Sequence, residues 1–197
     1  MKIAIIGAAG KTGSQLVHAA LQRGWQVSAV CRGASAGKLD GFAGHDGFTL
    51  HTAAVISDQA LLARALAGCD AVVAVLISVR RLQASALVAA LAGAAAQHGL
   101  TRLVSRLGRA VSFFTPYSMT DMICASALVA RQPGWQWTIV RAPTLLDAPA
   151  TGYRWCRLEE IQGRHQLSRQ DYAASLLDSV LQPDHHGRLL TVMAAAS

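Results

Sequence analysis

Short apolar runs alternate along this chain with longer stretches whose apolar residues recur every three or four positions. The first run, Ile3-Ala4-Ile5-Ile6, reads as a buried strand. Glycines follow at Gly7, Gly10 and Gly13, and Leu16, Val17, Ala20 and Leu21 then share one face of a helix predicted over 14–21, ended by Arg23-Gly24. The same alternation predicts strands at 26–31, 48–53, 71–77, 102–106, 135–140 and 189–193, with an edge strand at 153–158. Residues 35–47 read as a loop with a short helical segment, and Pro143 bars extension of the sixth strand. Helices are predicted from a Ser57 or Asp58 cap through Leu66, over 83–98 with Gly99 as the stop, over 117–130, and over 169–181 with Ser168 as cap and Asp171 in the first turn. Alternating strand and helix signals predict an α/β fold, a Rossmann-like doubly wound, mostly parallel sheet with helices on both faces. Without repeat, linker or low-complexity tail, residues 1–197 read as one domain, with a small C-terminal, substrate-side segment from about 144.

The glycine turn carries the first chemical expectation. A strand that turns through glycines onto a helix lets the backbone approach a diphosphate, and the helix start supplies N–H donors and partial positive charge. Gly7, Ala9, Gly10, Lys11, Thr12 and Gly13 are therefore candidate dinucleotide-binding residues. The spacing is G-x-x-G-x-x-G rather than G-x-G-x-x-G. Gly10-Lys11-Thr12 is similar to the end of a nucleoside-triphosphate loop, but that loop needs a glycine where Ile5 stands. At the end of the second strand a carboxylate would bind the ribose hydroxyls of NAD. This chain has Cys31-Arg32-Gly33 there and no carboxylate until Asp40. Arg32 can make a charge-assisted bond to a 2′-phosphate, and Lys11 can reach the same group, so the expected cofactor is NADP(H).

Composition narrows the partners. The chain has 197 residues, 52% of them hydrophobic, yet no apolar stretch is long and clean enough to cross a bilayer. The N-terminus enters a strand directly, so no signal peptide and a cytoplasmic location are expected. The net charge is +7, but the arginines are spread and form no basic helix. An anionic cofactor explains a positive cleft better than nucleic acid does. Cys31, Cys69, Cys124 and Cys156 are scattered and mostly expected to be buried; His185-His186 reads as an exposed loop without metal.

Five segments in order carry a family resemblance: 7–13, Cys31-Arg32, His98-Gly99-Leu100-Thr101-Arg102-Leu103-Val104, Trp137-Thr138-Ile139-Val140-Arg141-Ala142-Pro143, and Leu167-Ser168-Arg169-Gln170-Asp171-Tyr172-Ala173. The series resembles the atypical short-chain dehydrogenase/reductases of the NAD(P)-binding, NmrA-like type, and in size the flavin reductase/biliverdin-IXβ reductase group. The resemblance implies a Rossmann fold, NADPH, and hydride transfer to a planar acceptor. It implies that the segment bearing Leu76, Ile77, Ser78 and Arg80 passes the adenosine and phosphates, that Ser105 faces the cofactor or the core, and that Pro143 and Thr144 lie beside the nicotinamide. The chain departs from the pattern in several places. No lysine follows Lys38, so the Tyr-x-x-x-Lys pair is absent and Tyr117 is followed four positions later by Asp121. Gly108 takes the usual hydroxyl position, Leu128 lies near that of a helix lysine, and Ala53 or Ala54 replaces an acidic residue.

Hydride transfer to a conjugated ring asks mainly for positioning, and water can supply the proton. Arg106 and Arg109 follow the fifth strand, where they can bind a carboxylate or stabilise an enolate; with Tyr117 as proton donor they form the candidate catalytic set. Tyr153 and Ser105 are lesser alternatives as donor. Arg109, Phe113, Tyr117, Tyr153 and Trp155 are candidate substrate-binding residues, with Phe114 on the same wall as Phe113. The expected substrate is a small aromatic or conjugated molecule, anionic or neutral: a flavin, tetrapyrrole, quinone or aromatic biosynthetic intermediate. Neither nucleic acid nor membrane is expected as a partner, and monomer and homodimer both stay open. The alternatives are an NADP(H) sensor without turnover and an enzyme that uses the cleft for isomerisation or cyclisation.

Overall fold

The computed structural model describes residues 1–75, 83–105, 116–157 and 166–195. An eight-stranded sheet forms its centre. The strands are β1 (Lys2–Ile6), β2 (Gln26–Arg32), β3 (Phe48–Ala53), β4 (Ala71–Ala74), β5 (Arg102–Ser105), β6 (Gln136–Arg141), β8 (Tyr153–Cys156) and β10 (Arg188–Ala194). Their order is β3-β2-β1-β4-β5-β6-β10-β8, with every pairing parallel except that of β8 with β10 at one edge. A second, two-stranded parallel sheet joins β7 (Thr144–Leu146) to β9 (Gln166–Ser168). This is the Rossmann-like doubly wound arrangement. The chain leaves β1 toward β2 and β3, then returns to β4 on the other side, which opens a crevice at the carboxyl ends of β1 and β4.

Strand alternation sorts the core into two layers. Ile3 and Ile5 face α1 (Lys11–Gln22) and α5 (Arg169–Leu181), packing with Leu16, Val17, Tyr172 and Leu176. Ala4 and Ile6 face the opposite layer of α2 (Gln59–Leu66), α3 (Gln83–Gln97) and α4 (Pro116–Ala130), through residues such as Leu62, Leu91 and Val129. Both faces are covered, so the central strands are apolar throughout.

Asp58 caps α2 by accepting from Leu61 N at 2.6 Å, and Ser168 caps α5 by accepting from Asp171 N at 2.9 Å. The expected α5 and β3 match the observed bounds. Helix α1 begins at Lys11 rather than at 14, because the turn feeds directly into the first helical residue. Strand β4 ends at Ala74, and β8 ends at Cys156, short of 158. Strands β7 and β9 were not expected: three residues are too few for a periodic signal.

Burial of the cysteines was over-expected. Only Cys31 is buried; Cys69 and Cys156 are half-buried, and Cys124 lies exposed on α4. Burial pushes the Cys69 thiol up to about 11. His185 and His186 are half-buried rather than exposed, since the His185 ring packs edge-on to Trp155 and its Nδ1 lies 3.1 Å from Ser179 Oγ.

One buried cation ties the amino end of the sheet together. Arg102, 7% exposed, begins β5. Its Nη1 donates to Gln136 O at 2.6 Å and Thr138 Oγ1 at 3.0 Å, its Nε to Val180 O at 3.3 Å, and its Nη2 to Ser179 O. The guanidinium thus serves the last carbonyls of α5, where a cation is favoured, while burial lowers its pKa to about 10. We expect Arg102→Met to destabilise the fold by about 2–4 kcal/mol, since several buried acceptors lose their donor. Urea unfolding checks this; an unchanged midpoint would contradict the role.

Candidate functional site

The glycine turn stands at the carboxyl end of β1, on the crevice. Gly7 adopts φ 86°, a region that glycine reaches without a Cβ penalty. The N–H groups of Gly7 and Ala8 both donate to Val30 O, at 2.9 and 3.1 Å, which ties the turn to β2. Gly10 N donates to Gly7 O at 3.0 Å, and Ser14 N to Gly10 O at 2.8 Å. A Cβ on Gly13 would stand 2.2 Å from Gly7 O and 2.7 Å from Ala8 O, so this position admits only glycine. The third glycine therefore sets how closely helix and turn pack.

The turn leaves its donors free. Among the described residues, nothing accepts from the N–H groups of Ala9, Lys11, Thr12 and Gly13. Helix α1 also has no side-chain cap and no acidic residue in its first turn. Three other helix starts are served: α2 by Asp58, α5 by Ser168, and α3 by Asp121, whose carboxylate accepts from Ala84 N at 2.8 Å, Ser85 N at 3.1 Å and Ser85 Oγ at 2.6 Å. Unpaired donors and the positive helix end together suit an anion of two phosphates.

Arg32 ends β2 at the same edge of the sheet, beside Ala53 of β3. It is exposed, and among the described residues no carboxylate pairs with it. The Lys11 side chain instead turns toward α5, where its Nζ meets Asp147 Oδ2 at 2.9 Å. The ammonium is thus held by the segment after β7 rather than turned toward Arg32. Arg169, the first residue of α5, meets the other oxygen of the same carboxylate at 2.6 Å. The hydrogen bond from Lys11, followed by the charge of Arg169, holds Asp147 below the usual carboxylate range. Pro143 lies between β6 and β7, Thr144 begins β7, and Ser105 ends β5, all at the carboxyl edge.

Tyr153 and Trp155 do not form a wall of this crevice. The Tyr153 hydroxyl donates to Asp178, seven residues along α5 from Asp171 and so ~10 Å toward the opposite edge. Trp155 packs edge-on to Tyr153 and to His185. Burial, then the bond to Asp178, raises the Tyr153 pKa, which makes it a poorer proton donor. Asp178 also pairs with Arg23 at 2.7 Å, so the group is a packing cluster between α1, α5 and β8. Leu76, Ile77, Ser78, Arg80, Arg106, Arg109, Phe113 and Phe114 lie outside the described residues. Tyr117 falls on α4 with only its backbone described, as Ser105 does at the end of β5.

Two further carboxylates, Asp121 and Asp147, have settled partners. Asp121 is 2% exposed and committed to the start of α3. Asp147 does lie at the start of α1, but its partner Lys11 is 136 residues away in sequence, a contact that no local pattern signals. Asp171 was expected only as a favourable charge in the first turn of α5. It also accepts from Thr151 N at 2.9 Å and Gly152 N at 3.0 Å, and so docks the segment before β8.

Comparison with known proteins agrees with this geometry. The profile of the NAD(P)H-binding family matches residues 7–183, and the chain belongs to that family. No curated protein matches it in sequence. Among solved structures, the chain is similar to a short-chain dehydrogenase/reductase from Veillonella parvula in complex with NADP. The two share 16% identity over 99% of this chain and 95% of the other, with a TM-score of 0.83. It is also similar to ChuY, an anaerobilin reductase from Escherichia coli O157:H7, at 18% identity over 100% and 98% of the two chains, TM-score 0.79. A protein from Streptococcus pneumoniae proposed to be an NADH-flavin reductase shows 18% identity over 99% and 100%, TM-score 0.76. At these identities the likeness is one of fold.

The Gly13→Ala variant tests the turn. We expect at least a tenfold loss of dinucleotide affinity by calorimetry, because the turn must open to clear the methyl group. Gly10→Ala, whose Cβ would stand 3.2 Å from Gly7 O, should lose less. Equal affinities in folded Gly13→Ala and wild-type protein would contradict the packing argument.

Proposed function

We propose that this protein is an NADPH-dependent reductase of a small, planar, conjugated molecule. The observation that carries the reading is the set of N–H donors at the start of α1 and the Arg32 guanidinium at the end of the neighbouring strand, for which the described residues supply no acceptor and no carboxylate. The amides bind the diphosphate, and the guanidinium selects the 2′-phosphate that distinguishes NADPH from NADH. Thr144 and Pro143 flank the nicotinamide, and Ser105 belongs to the cofactor side of the same reading. Leu76, Ile77, Ser78 and Arg80 belong to the adenosine side of the same reading. When bound, NADPH supplies the hydride.

The chain's own task is to orient two rings and exclude water between them. It has no Tyr-x-x-x-Lys pair, and Asp121, four residues after Tyr117, is engaged in capping α3. Proton delivery therefore falls to water or to Tyr117, with Arg106 and Arg109 neutralising charge that develops on the acceptor. Phe113 belongs with Arg109 and Tyr117 on the substrate side. This division suits flavins, tetrapyrroles, quinones and aromatic intermediates better than simple alcohols or ketones. The commitment of Asp121 to structure also favours one second reading, an NADP(H) sensor that does not turn over.

Two measurements test the proposal. The Arg32→Ala variant should weaken NADPH binding at least tenfold and leave NADH within about twofold, the difference expected of a charge-assisted phosphate contact. Equal losses for both would remove the argument for NADPH. Loss of nicotinamide absorbance with a panel of flavins, quinones and tetrapyrroles should reveal an acceptor. Tight NADPH binding without oxidation by any of them would favour the sensor.

A further inference from the structure

The bridge Lys11–Asp147–Arg169 is a feature that the proposed function leaves unused. Lys11 is the first residue of α1 and Arg169 the first of α5, so two helix starts meet on one carboxylate. Both contacts are short, 2.9 Å to Lys11 and 2.6 Å to Arg169. The side chains of Lys11 and Asp147 are 73% and 62% exposed, so solvent and arriving anions reach the pair freely.

The segment that carries Asp147 is anchored mainly to α5. Ala150 N donates to Gln170 Oε1 at 3.1 Å, and Thr151 N and Gly152 N donate to Asp171. Loss of the Lys11 contact would leave all of these in place, together with the Asp147–Arg169 pair. The ammonium can therefore change partner at the cost of one exposed ion pair, while the carboxylate stays where it is.

Lys11 also belongs to the turn whose amides stand free. An anion bound to the N–H groups of Lys11, Thr12 and Gly13 lies within reach of that lysine's own flexible side chain. The same anion is repelled by the carboxylate that now holds the ammonium. We propose that Asp147 is an internal counter-ion that competes with the cofactor's phosphates for Lys11 and so sets the affinity of the site. This rests on the dinucleotide reading above and deepens it by naming a residue that tunes affinity without belonging to the phosphate cradle.

A cycle of four proteins tests it, with NADPH binding measured by calorimetry at low salt: wild type, Asp147→Asn, Lys11→Met and the double variant. The Asp147→Asn variant should bind about two- to fivefold tighter than wild type, the scale of an exposed ion pair. Lys11→Met should bind more weakly. In the Lys11→Met background the gain from Asp147→Asn should shrink, because no ammonium remains to be released. Moderate salt should narrow all of these differences. Unchanged or weaker binding by Asp147→Asn would overturn this inference alone, as would an undiminished gain in the Lys11→Met background. Failure of folded wild-type protein to bind any nicotinamide nucleotide would overturn the dinucleotide reading itself, and this inference with it.

Discussion

Backbone N–H groups at the start of a helix must be paired, and the start of α1 leaves them open to whatever arrives. Gly10 in the capping position offers no side chain, and the first turn carries no acid. At three other helix starts the chain supplies a carboxylate or hydroxyl: Asp58 for α2, Asp121 for α3, Ser168 for α5. That contrast suits this strand–helix connection to an anion. The positive φ of Gly7 and the close approach at Gly13 then fix the shape of the cradle.

The rest of the fold holds this edge in place. Parallel pairing brings the ends of β1, β2, β4, β5 and β6 to one side of the sheet, so Arg32, Ser105 and Thr144 share an edge with the turn though far apart in sequence. Helices α1 and α5 pack side by side beneath it, which brings Lys11 to Asp147 and Arg169. At the opposite edge, Arg102 closes the end of α5 against β6. Tyr153, Trp155 and His185 fill the flank between those ends.

What was legible in the sequence follows the range of the forces involved. Strands and helices with several periods of apolar residues could be read, as could the caps at Asp58 and Ser168, because burial and capping are local. The glycine turn was legible for the same reason: all its glycines lie within seven residues. Strands β7 and β9 were not, since three residues carry no period and their pairing joins positions more than twenty apart. The roles of Lys11, Asp121, Asp147 and Tyr153 were set by tertiary partners. Tyr153 and Trp155 have the composition of a ligand wall, yet side-chain direction along β8 turns them onto α5 and His185. Conversely, the family assignment came from the order of several motifs rather than from any one of them, and it is the matched span of 7–183 that bears it out.

The central claim is that the free amides of the first turn hold a dinucleotide diphosphate. Backbone NMR of labelled protein titrated with NADPH tests it at the atoms concerned. The account predicts that the amide signals of Ala9, Lys11, Thr12 and Gly13 shift together and saturate with the binding curve, as donors do when they gain a charged acceptor. Saturable binding that leaves those four signals in place, or no binding by folded protein, would contradict it.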